Sequence, residues 1–283
     1  MIQDLIFDVG MNNGDDTAYY LHKGYRVVAV EADPILIDEA RDRFADQVRD
    51  RQLELVNVAI AAERGTAPFW ICDARSEWNS FDRRIASRLG LPHHSIDVQC
   101  RPFRDLLQKY GVPSYLKIDI EGHDHYCVAD LRQEDLPAYV SLEMAQVETL
   151  FALRDLGYTG FKLITQNDHS QLVVDLFSVT ALLKRRLRPY PALFRLGRLA
   201  SRLGRRRAAV ARTAPSNGSS WRFSIGSSGP FGEDTAGRWQ SCDEAVYTWV
   251  TYQLGRSKYG QPNLDIWHDV HATRLVSPPG LPS

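Results

Sequence analysis

Three groups of residues in this 283-residue chain combine charge and spacing in ways that could do chemistry. The first is Phe7-Asp8-Val9-Gly10-Met11-Asn12-Asn13-Gly14-Asp15-Asp16-Thr17, an apolar run that passes into a glycine turn and then a helical pattern. Gly10 permits a tight turn and close approach to a ligand, and Gly14 lets a helix start pack near a strand. The second is Val30-Glu31-Ala32-Asp33-Pro34, with Glu31 standing 17 residues beyond Gly14. A doubly wound fold places there the carboxylate that hydrogen-bonds ribose hydroxyls. Together the two groups read as a nucleoside site. The glycine spacing is GxxxG behind an acidic residue, not the GxGxxG that cradles a pyrophosphate at a helix N-terminus. S-adenosylmethionine carries no phosphate, so a loop with Asp8 beside it suits the ammonium of that molecule better than the diphosphate of NAD. An NAD-dependent oxidoreductase is the competing reading, and a ligand-free tight turn is the bland one.

The third group is Tyr115-Leu116-Lys117-Ile118-Asp119-Ile120-Glu121-Gly122, whose alternation sends Lys117, Asp119 and Glu121 toward one side. A central parallel strand is normally apolar on both faces, so three charges there demand partners or a ligand. Asp119 and Glu121 fall at its carboxyl end, where open α/β sheets bind ligands. Lys117 is deeper, and a structural ion pair with Glu143 of the next strand or with Asp119 is its expected role. If the acceptor is a hydroxyl, a carboxylate or imidazole must take its proton. Asp119 and Glu121 are the first candidates, and Glu143 is the third.

These stretches resemble the FkbM family of methyltransferases. The likeness rests on the Asp8-Val9-Gly10 to Gly14 loop, Val30-Glu31-Ala32-Asp33-Pro34, Asn57-Val58-Ala59-Ile60, Leu116-Lys117-Ile118-Asp119-Ile120-Glu121-Gly122 and Leu142-Glu143, and spans roughly residues 4 to 165. It implies transfer of a methyl group from S-adenosylmethionine, usually to an oxygen, often on a sugar or secondary metabolite. Asp8, Gly10, Asn12, Gly14, Thr17, Glu31, Ala32, Asn57, Ala59 and Asp119 become the expected cofactor residues. The family commonly has Glu where this chain has Asp124, and Ser80 resembles a serine the family carries between its third and fourth main strands. A non-catalytic scaffold with the same fold is a further alternative, because fold alone does not settle function.

The elements that must position these residues are legible as alternating strand and helix patterns, which predict a doubly wound, Rossmann-like, mostly parallel sheet with helices on both faces. Strands are expected at residues 4–9, 26–31, 53–60, 115–120, 139–144 and 161–165. Helices are expected at 15–23, 34–51, 103–110, 125–131, 147–156 and 244–254. Asp33 is the expected cap and Pro34 the first-turn residue of the second helix. Three regions follow: a cofactor domain over 1–175, a basic amphipathic helical insertion over 176–215 and a loop-rich C-terminal segment over 216–283 that packs on the domain. No internal repeat is present.

Outside that core, residues 176–232 hold no acidic residue, yet residues 182–212 carry eleven basic ones at amphipathic spacing with the apolar positions. Three readings stand: solvated helices, contact with an anionic membrane surface, and a lid over an anionic substrate. Phe231 and Trp239, in a glycine-rich stretch, offer flat faces on which a sugar could stack. Trp267-His268-Asp269-Val270-His271 is a polar-aromatic cluster in a loop-like tail, and His268 or His271 is expected to reach the site mouth as a base. None of the histidine spacings is a metal signature, so no metal is expected. The four cysteines share no ligand or redox spacing and read as buried thiols. The net charge of -1 gives no whole-chain reason to expect nucleic acid, and nothing in the sequence sets an oligomeric state. No run reaches the roughly 18 to 20 apolar residues of a bilayer span. Met1-Ile2-Gln3-Asp4 looks nothing like a leader, so the expectation is a cytoplasmic protein, peripheral at the inner membrane surface if the basic segment docks there.

Overall fold

The structure is a computed structural model that describes residues 1–173, 221–224, 226–258 and 267–275. The basic stretch 182–212, with its membrane and lid readings, lies outside the described residues. Seven strands form the main sheet: β1 (Ile2–Val9), β2 (Arg26–Glu31), β3 (Leu53–Asn57), β7 (Pro113–Ile118), β8 (Tyr139–Glu143), β9 (Gly160–Thr165) and β10 (His268–Thr273). Their order is β3-β2-β1-β7-β8-β10-β9. All run parallel except β10, which pairs antiparallel with both β8 and β9. A small second sheet, of order β4-β6-β5, joins β4 (Ala59–Ile60), β5 (Gly65–Cys72) and β6 (His93–Arg101). The helices are α1 (Asp15–His22), α2 (Pro34–Arg43), α3 (Ala45–Arg49), α4 (Arg83–Ala86), α5 (Phe103–Tyr110), α6 (Asp124–Asp130), α7 (Glu148–Leu156) and α8 (Cys242–Lys258). No helix among the described residues is long and apolar enough to cross a membrane.

Alternation along the strands divides the core into two faces. Leu5, Phe7 and Val9 of β1, Leu116 and Ile118 of β7, Leu142 of β8 and Val270 of β10 pack with Phe103, Cys127, Leu150 and Trp249, which come from α5 to α8. Ile6 of β1, Val27 and Ala29 of β2 and Tyr115 of β7 pack instead with Tyr19, Tyr20, Ile37 and Ala40 of α1 and α2. Helices therefore cover both faces, as the sequence pattern predicts. On the α1 face the far side of the sheet is polar, with Lys117, Ser141, Asp269, His271 and Lys162 all buried. Among the described residues no α-helix covers it there; residues 226–240 do, with Phe231 stacked on Tyr115 at 4.4 Å between ring centroids. Lys162 Nζ donates to the carbonyl and hydroxyl of Thr235 at 3.0 and 2.8 Å.

Several boundaries differ from the sequence expectation. The helix expected over 34–51 breaks at Phe44, whose φ of -113° and ψ of 31° leave the helical region. The strand expected over 53–60 breaks at Val58, where the chain leaves the main sheet for the small one. The polar cluster 267–271 is not a loop: residues 268–273 are β10, buried at every position between β8 and β9. All four cysteines are buried free thiols.

Candidate active site

A crevice of about 500 Å³ opens at the carboxyl ends of the strands, beside the β1–β7 boundary where the strand order reverses. The loop after β1 forms one wall. Gly10 has a φ of +82° and approaches the end of β7 so closely that a Cβ there would lie 1.7 Å from the Asp119 carbonyl oxygen. Gly14, with a φ of +78°, opens α1. Beneath the loop lies an ion pair fixed by register. Asp8 and Lys117 are direct partners in the β1–β7 ladder, and Lys117 Nζ sits 3.2 Å from Asp8 Oδ1. Lys117 also donates to the Gly10 carbonyl at 2.6 Å, while Thr17 donates to Asp8 Oδ2 at 2.6 Å. Burial works against the Lys117 charge, but the carboxylates of Asp8, Asp119 and Asp16 outweigh it and hold the ammonium well above its usual pKa.

The nucleoside side of the crevice is built on β2. Glu31 Oε2 accepts the Asn12 amide and Oε1 the Asp33 amide, both at 2.9 Å, so the carboxylate ties the glycine loop to the start of α2. Burial raises its pKa against those two bonds. Asp33 caps α2 through the Ile35 amide, as expected, and its other oxygen accepts from Asn79 at 3.1 Å. Asn57 donates to the carbonyls of Glu31 and Ala32 at 2.9 and 3.0 Å. Val58, Ala59 and Ile60, with Phe69, Trp78 and Phe81 around the small sheet, give this end its apolar surface.

In the same crevice three carboxylates meet. One oxygen from each of Asp119, Glu121 and Glu143 lies within 4.8 Å of the others. Burial, then the neighbouring charges of Asp119 and Glu143, push Glu121 up to about 9, although Arg88 stands 3.6 Å away. Burial and the Asp119 and Asp124 charges push Glu143 up to about 8. Asp119 is raised by burial against the pull of Lys117. Such a group can hold a proton for exchange near neutral pH. Among the described residues it is also the set whose ligand atoms converge as a hard divalent cation would require. Glu121 has a φ of +47°, and its turn is held by Ser80 Oγ, which donates to the Glu121 carbonyl at 3.0 Å, and by Asp124 Oδ1, which accepts the Ile120 amide at 3.0 Å.

Residues 8–160, more than half of the chain, match the methyltransferase FkbM domain. The chain belongs to the FkbM methyltransferase family. No curated protein matches the chain. Among solved structures it is similar to precorrin-6y C5,15-methyltransferase from Geobacter metallireducens GS-15, at 17% identity and a TM-score of 0.33, over 58% of this chain and 69% of that one. An S-adenosylmethionine-dependent methyltransferase from Geobacter sulfurreducens, in complex with S-adenosyl-L-homocysteine, gives 9% identity and a TM-score of 0.34 over 95% and 83%. The [4+2]-cyclase SpnF gives 9% and 0.35 over 97% and 76%.

The FkbM chain gathers Gly10, Asn12, Glu31, Ala32, Ala59, Asp119, Glu121 and Glu143 around one crevice. Four other expected site residues stand behind its wall: Asp8, Gly14, Thr17 and Asn57 brace the loops and do not line it. Asp8 is therefore not the group that faces a ligand ammonium, because Thr17 and Lys117 already occupy its carboxylate. Lys117 pairs with Asp8 and not with Glu143 or Asp119, since the register puts Asp8 opposite it. His268 and His271 do not line the crevice either. His268 packs edge-on to Trp249 and Tyr252, while His271 is 2% exposed, and burial beside Lys162 and His169 pushes it down to about 3. Phe231 and Trp239 are not stacking platforms for an acceptor. Phe231 is stacked on Tyr115, and the Trp239 ring lies under Lys162 Nζ at 4.3 Å and donates its indole N–H to Glu233. Sequence reasoning missed Asp16, Ser76, Trp78 and Gln166, all of which line the crevice. Only Asp16, in the first turn of α1, carried a signal that could have found it.

Proposed function

We propose that this FkbM protein is an S-adenosylmethionine-dependent O-methyltransferase whose acceptor is a hydroxyl of a sugar, glycan or secondary metabolite. The observation that supports it best is the convergence of Asp119, Glu121 and Glu143 beside the glycine loop, in a crevice that Val58, Ile60, Phe69, Trp78 and Phe81 also line. The charge of the wall fits a cationic donor. Asp15, Asp16, Asp119, Glu121 and Glu143 line it with Lys117 and Arg75, so a sulfonium and an ammonium would favour the ionised forms of these acids while a dinucleotide diphosphate would oppose them. Glu31, Ala32 and residues 58–60 would hold the nucleoside, and the Gly10–Asn13 loop with Asp119 the amino-acid end. When bound, the donor supplies a methyl group already activated by positive sulfur. The residues of the chain then have to align the acceptor, exclude water and take its proton. Glu121 and Glu143 are the groups for the last task. Arg75 and Trp78 stand at the same wall, with the guanidinium 4.9 Å from the indole centroid.

Purified protein is expected to transfer labelled methyl from S-adenosylmethionine to a member of a hydroxylated-acceptor panel and to bind the donor, but not NAD, in calorimetry. Binding of NAD alone would remove the proposal. Glu121→Gln or Glu143→Gln should lower kcat by about 10²-fold or more if that residue is the base. Because the base works ionised, kcat/KM of the wild type should rise with pH until about 8, following the raised carboxylates. Turnover abolished by EDTA and restored by Mg²⁺ would reassign the three carboxylates as cation ligands. Cytoplasmic placement, with residues 182–212 touching an anionic membrane surface, forms part of the same proposal; co-sedimentation with anionic but not neutral liposomes supports it.

A further inference from the structure

Asp16 lines the crevice from the first turn of α1, is 7% exposed, and makes unequal use of its two oxygens. Oδ2 accepts the Ser228 amide at 3.0 Å, whereas Oδ1 is buried without a hydrogen-bond partner. A buried carboxylate oxygen left unpaired carries a desolvation penalty that no hydrogen bond to that oxygen among the described residues offsets. Its surroundings do not supply a dedicated cation. Lys117 is committed to Asp8 and to the Gly10 carbonyl, and the other charges facing Asp16 are the carboxylates of Asp8 and Asp119. The residue stands close to the ends of β1 and β7, where the charges of Asp8, Lys117 and Asp119 all act on it. Burial, with the charges of Asp8 and Asp119, raises Asp16 to about 7 against the opposing pull of Lys117.

We propose that Asp16 is a specificity-determining residue that receives the charged amino-acid end of the methyl donor, the role that Asp8 cannot fill. This rests on the methyl-donor reading of the crevice and names the group within it that distinguishes a whole donor from its nucleoside part. It also gives residues 221–231 a function. Ser224 Oγ donates to Asp15 at 2.7 Å and the Ser228 amide to Asp16, so the segment that contributes Ser224, Gly226 and Ser227 to the crevice wall hangs on the same acidic pair.

Calorimetric titration of the wild type and of Asp16→Asn with S-adenosylmethionine, S-adenosylhomocysteine and 5′-methylthioadenosine tests the assignment. The last ligand keeps the nucleoside and lacks the amino-acid end. Asp16→Asn retains the shape and an oxygen for Ser228, and Asp16→Ser serves as a second variant. The expected result is a loss of about tenfold or more for the two ligands with an ammonium, and less than about twofold for methylthioadenosine. Equal weakening of all three in both variants makes Asp16 a structural residue and overturns the proposal, as does no change in any. A wild type that binds none of the three overturns the methyl-donor reading itself, whereas a wild type that binds all three and a variant that does not discriminate overturns the Asp16 assignment alone.

Discussion

At the scale of single residues, charge in this protein is arranged in layers. The floor layer is the Asp8–Lys117 pair, buried on both sides and fixed by strand register, and the upper layer is the set of carboxylates that face the crevice. The two layers should respond differently to substitution. Lys117→Met removes the one cation that compensates Asp8 and frees the Gly10 carbonyl, so urea unfolding should show a loss of about 3 to 5 kcal/mol. Asp8→Leu added to it should recover much of that loss, because a buried pair replaced by apolar groups is often neutral. Full additivity of the two losses would mean that the pair is not a unit. The sequence alone exposed both residues as charges in an apolar strand pattern. It did not reveal their pairing, because Asp8 and Lys117 are 109 residues apart and only the β1–β7 register brings them together. Glu121 and Glu143 were legible for a better reason: Glu143 ends a recognisable strand and Glu121 lies in the turn just beyond another, and strand ends converge in a parallel sheet.

At the scale of elements, what the sequence hid was whatever lacked local periodicity. β1, β2, β7 and β8 announce themselves as apolar runs between turns, and α5 begins and ends at the expected residues. β10 reads His-Asp-Val-His-Ala-Thr, with polar residues directed at a polar face of the sheet, so its pattern resembles a loop although every position is buried. β5 and β6 hide for a related reason. Their small sheet has one apolar side, with exposed or half-exposed residues such as Thr66, Ser95 and Gln99 interleaved, and Pro68 lies in the middle of β5. The polar face that disguises β10 also explains why residues 226–240, with their own polar groups and two aromatics, Phe231 and Trp239, cover it where an apolar helix face would not. Phe231 is the wedge of that cover, in contact with Tyr19, Tyr20, Tyr25 and Tyr115. Phe231→Ala should cost about 3 kcal/mol or more of stability. It should also raise amide hydrogen exchange across residues 221–231 more than in β1 or β7. Uniform acceleration along the chain would mean that the segment is an integral part of the core and not a separable cover.

At the scale of the whole molecule, the buried acids and buried histidines pull stability in opposite directions as pH changes. Asp16, Glu143 and Glu121 are raised to about 7, 8 and 9, and Asp269, also on the polar face, to about 7. A carboxyl raised on folding binds more protons in the native than in the unfolded state, so its contribution to stability falls as pH climbs from the unfolded value near 4 to the folded one. His271 is pushed down to about 3, and burial lowers His169 and His123 as well. A histidine lowered on folding favours the native state at pH above about 6.5, and that advantage is lost as pH drops toward the folded value. The four raised carboxyls outnumber the lowered histidines and still titrate above about pH 6.5, where the histidine contribution is complete, so the ligand-free protein should lose stability as pH climbs from about 6 to 9. Between about pH 6 and 9 the fall should amount to several degrees, given that about 1 kcal/mol moves the midpoint of a chain of this size by roughly 2 to 4 °C. A cationic donor held among the same carboxylates favours their ionised forms, so the stabilisation it confers at saturation should increase with pH over that interval. Scanning calorimetry at several pH values, with and without S-adenosylmethionine, reads both trends, with 5′-methylthioadenosine, which has neither the sulfonium nor the ammonium, as control. A melting point that rises steadily from pH 6 to 9 without ligand would show that the raised carboxyls are offset elsewhere in the fold. A ligand shift independent of pH would show that the donor's charge is not held by them.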